Sequence, residues 1–100
     1  MYDMKNLTKL KKIGELAPEA FKGFMAFDEA AFKDGAIPLK YKEMIAVAVA
    51  LTTQCPYCIE IHTKRAKKAG VTEQELAETM LVTAALRAGG ALTHGTHTIE

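Results

Sequence analysis

Apolar residues recur at helical spacing along most of this chain, and the breaks in that pattern mark where elements turn. Leu7, Leu10, Ile13 and Leu16 stand three apart with lysines between them, which predicts a short amphipathic helix over Asn6 to Leu16. Ala17-Pro18-Glu19 restarts a helix, because proline has no N–H to leave unpaired and its φ already suits a first turn. Phe21, Phe24, Met25, Ala31 and Phe32 give this second helix an apolar stripe, its phenylalanines read as core. Asp34-Gly35-Ala36-Ile37-Pro38 should end it, with Gly35 suited to a left-handed cap and Pro38 blocking continuation.

From Leu39 to Thr53 the run after Glu43, Met44-Ile45-Ala46-Val47-Ala48-Val49-Ala50-Leu51, is apolar on nearly every face. A helix of that kind is expected to be the buried central one. Ala46, Ala48 and Ala50 are small enough to let neighbours approach closely, another subunit among them. A further helix starts at Pro56 and should bury Cys55, Cys58, Ile59, His62, Ala66 and Ala69, at offsets 0, 3, 4, 7, 11 and 14. Lys64, Arg65, Lys67 and Lys68 complement its C-terminal dipole, and Gly70 is the expected stop. Thr72-Glu73-Gln74-Glu75 reads as a capping box that opens the last helix. Its stripe is Leu76, Ala77, Met80, Leu81, Ala84 and Ala88, and Gly89-Gly90 should loosen or end it. With no internal repeat or linker, the expectation is all-α: one compact bundle of about five helices over residues 1–100.

Composition supports helix over sheet, since Ala, Leu, Met and Ile outweigh Val and Thr and there are three prolines. A net charge of +1 nominates no nucleic-acid or membrane-surface partner. No run of about 18 apolar residues offers a membrane span. Residues 1–5 have no apolar run behind their charges and do not read as a leader, so a cytoplasmic location is expected.

The chemistry concentrates in Thr53-Gln54-Cys55-Pro56-Tyr57-Cys58-Ile59-Glu60-Ile61-His62, which holds both cysteines of the chain. A lone Cys-X-X-Cys pair in a reducing compartment is more often redox-active or metal-binding than structural. If Pro56 opens a helix, the unpaired N–H groups and positive dipole end face both sulfurs and favour thiolate. Thiols so placed ionise at roughly 3.5 to 7.5 instead of about 8.5. His62 stands one turn beyond Cys58, so a nucleophile and a base fall within plausible hydrogen-bond reach. Glu43 lies twelve residues before Cys55; it reads either as a proton acceptor or as a first-turn carboxylate facing the helix dipole. A metal reading competes, with Cys55, Cys58 and His62 as zinc ligands completed by Glu43 or His94. Haem attachment fails on spacing, because Ile59 follows Cys58. His94 and His97 read as surface histidines of the tail.

Glu43, then Cys55-Pro56-Tyr57-Cys58, then His62, with Ala84-Ala85-Leu86-Arg87-Ala88-Gly89-Gly90-Ala91 downstream, resembles the alkylhydroperoxidase D-like (AhpD-like) branch of the carboxymuconolactone decarboxylase family. The resemblance covers about residues 18 to 95 and meets that motif at all four of its positions. It implies that Glu43 accepts a proton through water and His62, and that Cys58 is the thiolate attacking a hydroperoxide. Cys55 would then resolve the sulfenic acid as a Cys55–Cys58 disulfide, reduced by an external dithiol such as a lipoyl group or a thioredoxin-like protein. No bound cofactor is implied, and the subunits would assemble as a homo-oligomer, a trimer or hexamer. One departure is Tyr57, where some members carry a histidine, so no relay role transfers to that position. A member without peroxidase activity, lactone decarboxylase-like or a scaffold, is the alternative within the family. The paired cysteines count against the decarboxylase branch.

Overall fold

Five α-helices follow one another without strands in the computed structural model, which describes residues 2–100. Met1, part of the stretch read above as unlike a leader, lies outside the described residues. The order is α1 (Leu10–Leu16), α2 (Pro18–Phe32), α3 (Leu39–Thr53), α4 (Pro56–Lys68) and α5 (Glu73–Gly95), with 3₁₀ turns at Met4–Lys9 and Thr96–Thr98. The expected all-α bundle is therefore present. The first helix is shorter than its periodicity predicts, because the Asp3 carboxylate accepts the Lys5 N–H at 2.9 Å and starts a tighter 3₁₀ turn ahead of it.

The turn between α2 and α3 departs from expectation. Gly35 does not take a left-handed conformation; among the described residues positive φ occurs at Gln54 and Gly70. The last carbonyls of α2 are satisfied instead from α3, where the Lys42 ammonium donates to the Ala31 carbonyl at 2.8 Å and also to that of Lys33. Asp34 accepts the Leu39 N–H at 2.6 Å and so supplies a cap that Pro38, at the N-cap position, cannot. The α3 to α4 turn is tighter still. Gln54 adopts φ 55° and ψ 42°, the left-handed cap usually left to glycine, and Arg87 of α5 donates to the exposed Thr52 carbonyl at 2.6 Å. Gly70, at φ +95°, ends α4 as its sequence predicts, and Val71 then folds back to donate to the Ala66 carbonyl at 2.9 Å.

The capping box holds: Thr72 Oγ1 accepts the Glu75 N–H at 3.1 Å and Glu75 accepts the Thr72 N–H at 2.9 Å. Such caps are worth about 1 kcal/mol. Gly89-Gly90, expected to loosen or end the helix, does not, since α5 runs through both to Gly95. Each glycine costs a helix interior about 1 kcal/mol, which 23 residues of continuous backbone hydrogen bonding absorb.

Where α3, α4 and α5 meet, Val47, Ala66 and Val71 form the core, with Met44, Leu51 and Leu76 packed against it. These are mostly small side chains, so the helices approach closely and the core stays thin. α3 is central as expected, packing against α2, α4 and α5, but it is not buried on every face. Glu43, Val47 and Ala50 are buried, while Ile45 and Val49 on other faces of the same helix are exposed. The phenylalanine stripe is likewise split, with Phe21 and Phe32 half-buried and Phe24 exposed. On α5, Met80, Leu81, Val82 and Leu86 also face outward. Among the described residues, no helix is long and apolar enough to cross a membrane.

Candidate active site

The turn that ends α3 and starts α4 brings the sulfurs together. Cys55 is the N-cap of α4, its Sγ accepting the Cys58 N–H at 3.3 Å, and Pro56 takes the first helical position as expected. Both cysteines are free and half-buried, and their Sγ atoms lie 2.8 Å apart. Two thiols that close are coupled, and their ionisations separate. The hydrogen bond with the Cys58 side chain, then the Cys58 and Tyr57 backbone N–H groups, hold Cys55 below the usual cysteine range. The same bond from the other side, together with burial, pushes the Cys58 thiol up. Of the two, Cys55 is therefore the thiol that ionises first.

His62 and Glu43 meet across α3 and α4. Glu43 Oε1 lies 2.7 Å from His62 Nδ1 with no water needed between them. Glu43 is 3% exposed, so this carboxylate is buried and its partner is the imidazole. An ionised carboxylate only accepts, so Nδ1 is the donor across this contact, and a neutral imidazole so held carries its lone pair on Nε2. The first-turn, dipole-facing reading of Glu43 gives way to this pairing.

Two cavities flank that pair. The first, of about 480 Å³, is lined largely by apolar groups from α2, α3 and the turn between them, including Phe32, Ile37, Ile45 and Val49. Cys58, rather than Cys55, lines it, and His62 does too. The second, of about 430 Å³, is charged, with Asp28, Glu29, Glu43 and Arg65 among its lining. Phe32 belongs to both linings, and its ring stacks on His62 with centroids 5.2 Å apart and planes 13° from parallel. Sequence reasoning took Phe32 for core. Its place as the last residue of a stripe carried no sign of a histidine thirty positions later.

The outer side of the dithiol turn is held by the N-terminus. Tyr57, between the cysteines, accepts at its hydroxyl from Asn6 Nδ2 at 2.9 Å, and its ring packs edge-on against Tyr2 at 4.9 Å. The zinc reading required Cys55, Cys58 and His62 to converge with Glu43 or His94. Among the described residues no three His, Cys, Asp or Glu side chains form such a set. His94 and His97 instead make an edge-on ring pair, 6.0 Å between centroids, exposed at the end of α5.

The carboxymuconolactone decarboxylase family pattern matches residues 18–99, and the chain belongs to that family. It is 46% identical over 71 residues to uncharacterized protein 4 in the cox locus of Paracoccus denitrificans, covering 71% of this chain and 64% of that one. An uncharacterized protein of Cupriavidus necator is 36% identical over 70 residues, 70% of this chain and 62% of its own. The chain thus spans less than two thirds of the length of these relatives. Among solved structures, an apo carboxymuconolactone decarboxylase family protein of Legionella pneumophila superposes with a TM-score of 0.79 at 37% identity. That match covers 92% of this chain and 82% of the other. A protein of Methanobacterium thermoautotrophicum superposes at 0.81 with 35% identity, covering 86% and 97%.

Proposed function

We propose that this protein is a thiol-dependent peroxide reductase of the AhpD-like kind. The observation that carries the reading is the sharing of one apolar cavity by Cys58 and His62, with Cys55 at 2.8 Å behind Cys58 and Glu43 at 2.7 Å behind His62. An organic hydroperoxide seated in that cavity meets the Cys58 sulfur first. Cys58 gives up its proton to the free Nε2 of His62, oriented by Glu43, and the sulfur attacks the outer peroxide oxygen. The O–O bond breaks, the alkoxide takes the proton back from His62, and an alcohol leaves with Cys58 as sulfenic acid. Cys55, the sulfur that ionises more readily, then attacks Cys58 to close the disulfide, and its proton leaves with the displaced hydroxide as water. An external dithiol, a lipoyl group or a thioredoxin-like protein, returns two electrons and two protons to restore the pair.

Assembly as a homo-oligomer, a trimer or hexamer, belongs to the same proposal. It is supported by the exposed apolar side chains of α3 and α5, which a thin core leaves uncovered. The cytoplasm is the compartment that keeps such a dithiol reduced.

Mass spectrometry of the full chain before and after one equivalent of cumene hydroperoxide tests the chemistry. Loss of two hydrogens across Cys55 and Cys58, reversed by dithiothreitol and absent in Cys58→Ser, is the expected result. An unchanged mass would overturn the peroxidase reading and leave a family member acting by other chemistry.

A further inference from the structure

We infer that Phe32 is a positioning and specificity-determining residue that divides the site into an apolar chamber for the reagent and a charged chamber for the carboxylate that orients His62. The inference refines the peroxidase reading and rests on it for the identity of the substrate, but not for the behaviour of the thiol. Cys58 and His62 open onto the apolar chamber, Glu43 opens onto the charged one, and Phe32 lines both. One face of its ring lies on the imidazole at 5.2 Å and 13°, so the ring that separates the chambers also sets the plane of His62.

The division matters because the two jobs need opposite surroundings. A cavity walled by Phe32, Ile37, Ile45 and Val49 takes up apolar molecules and excludes small polar ones by the ordinary cost of desolvating them. The carboxylate that orients His62 is steadied by water and charge, and the chamber beside Glu43, bordered by Asp28, Glu29 and Arg65, is both roomy and polar enough to hold that water. Without the ring the two volumes would merge, and the apolar wall between Cys58 and the charged side chains would be lost. His62 would keep its bond to Glu43 but lose the surface that fixes its tilt.

The test reads Cys58 alone, in the full chain carrying Cys55→Ser, as the ratio of alkylation rates by N-benzylmaleimide and iodoacetamide, each normalised to its rate with glutathione. Phe32→Ala should lower that ratio at least threefold, and Phe32→Gln, which keeps the length of the side chain but not its apolar surface, should do the same. Phe32→Leu restores an apolar wall and should hold the ratio within threefold of the parent, while slowing both reagents together through the loosened imidazole. If the Ala variant fails to fold, the Gln and Leu pair carries the same contrast. A ratio that stays within threefold in the Ala or Gln variant, or that falls as far in the Leu variant, overturns the inference. A separate assay of cumene hydroperoxide against hydrogen peroxide, with dithiothreitol, keeps the outcomes apart: no turnover of either peroxide with the alkylation contrast intact would sink the peroxidase reading and leave the partition standing.

Discussion

His62 Nδ1 and Glu43 Oε1 face each other at 2.7 Å across α3 and α4, with the carboxylate almost wholly shielded from solvent. The contact fixes both the tautomer and the orientation of the imidazole. In Glu43→Gln the amide offers an acceptor and a donor, so the ring is no longer held to one tautomer and Nε2 is not reliably the base. General-base assistance is worth roughly 100- to 10,000-fold when fully lost, so a partial loss should slow Cys58 alkylation at neutral pH by about tenfold. Stopped-flow alkylation of the Cys55→Ser protein with and without the change measures it, and equal rates would remove Glu43 from the mechanism.

The coupling of the cysteine pair makes a prediction with two opposite signs. Cys55 is held low chiefly by the Cys58 side chain, and Cys58 is held high chiefly by Cys55. Replacing Cys58 with alanine should therefore move the Cys55 alkylation profile to higher pH, toward the ordinary value of about 8.5. Replacing Cys55 should move the Cys58 profile to lower pH. Rates of iodoacetamide labelling between pH 5 and 10 decide it, and two shifts in the same direction would refute a hydrogen bond held between the sulfurs.

Local chemistry explains why so much of this arrangement could be read before the structure. Pro56 and the Thr72-to-Glu75 capping box announce helix starts through groups only a few residues apart, and Gly70 announces a stop by its own backbone freedom. Because Cys55, Cys58 and His62 share a single helix, their neighbourhood follows from its pitch. Phe32 and Glu43 join the site from other helices, and no periodicity within one helix encodes a contact with another. The same limit explains Gly35 and Gln54. A lysine from α3 satisfies the end of α2 where a glycine cap was expected, and a glutamine takes the left-handed role at the turn where the cysteines begin. Gly89-Gly90 suggests a break only because a local propensity of about 1 kcal/mol per residue says nothing of the long helix around it. The thin core goes unannounced for the opposite reason: an apolar pattern says which residues avoid water, but not whether the same chain covers them.

Gln54 carries backbone strain that glycine would relieve. A non-glycine residue in the left-handed region costs roughly 1–2 kcal/mol, and glycine gives back about 0.4–1 kcal/mol through the freedom of its unfolded chain. Gln54→Gly should therefore raise stability by up to about 1 kcal/mol in urea melts. Gly70→Ala, at φ +95°, should lower it by roughly 1–2 kcal/mol. Equal and small effects at both positions would mean that neither turn is conformationally demanding.

Glu75 should make the start of α5 sensitive to acid. Its carboxyl is held below the usual range first by the Thr72 backbone N–H and next by Lys40, whose Nζ is 3.0 Å away. Because the folded value lies below the unfolded one of about 4.3, its contribution is complete above that pH and disappears as pH falls through the folded value. Glu75→Gln should consequently lower Tm most near pH 6 to 7 and converge with the parent in more acid solution. A difference that is constant with pH would show that the side chain acts by shape alone.

Leu86 tests what lies against the outward face of α5. It is 69% exposed in the single chain, and Leu81 and Val82 on the same helix are similarly open. An apolar row of this kind on a thin-cored subunit is expected to be covered by further copies in the proposed assembly, where a buried leucine contributes about 1.5–3 kcal/mol. Leu86→Glu would place a carboxylate in each such contact, and an unpaired charge cannot be buried there without a larger penalty. The variant should elute as a smaller species than the parent in size-exclusion chromatography with light scattering, while far-UV circular dichroism keeps its helical signal. A parent already at the mass of one chain, or a variant with the parent's mass, would show that this face meets solvent.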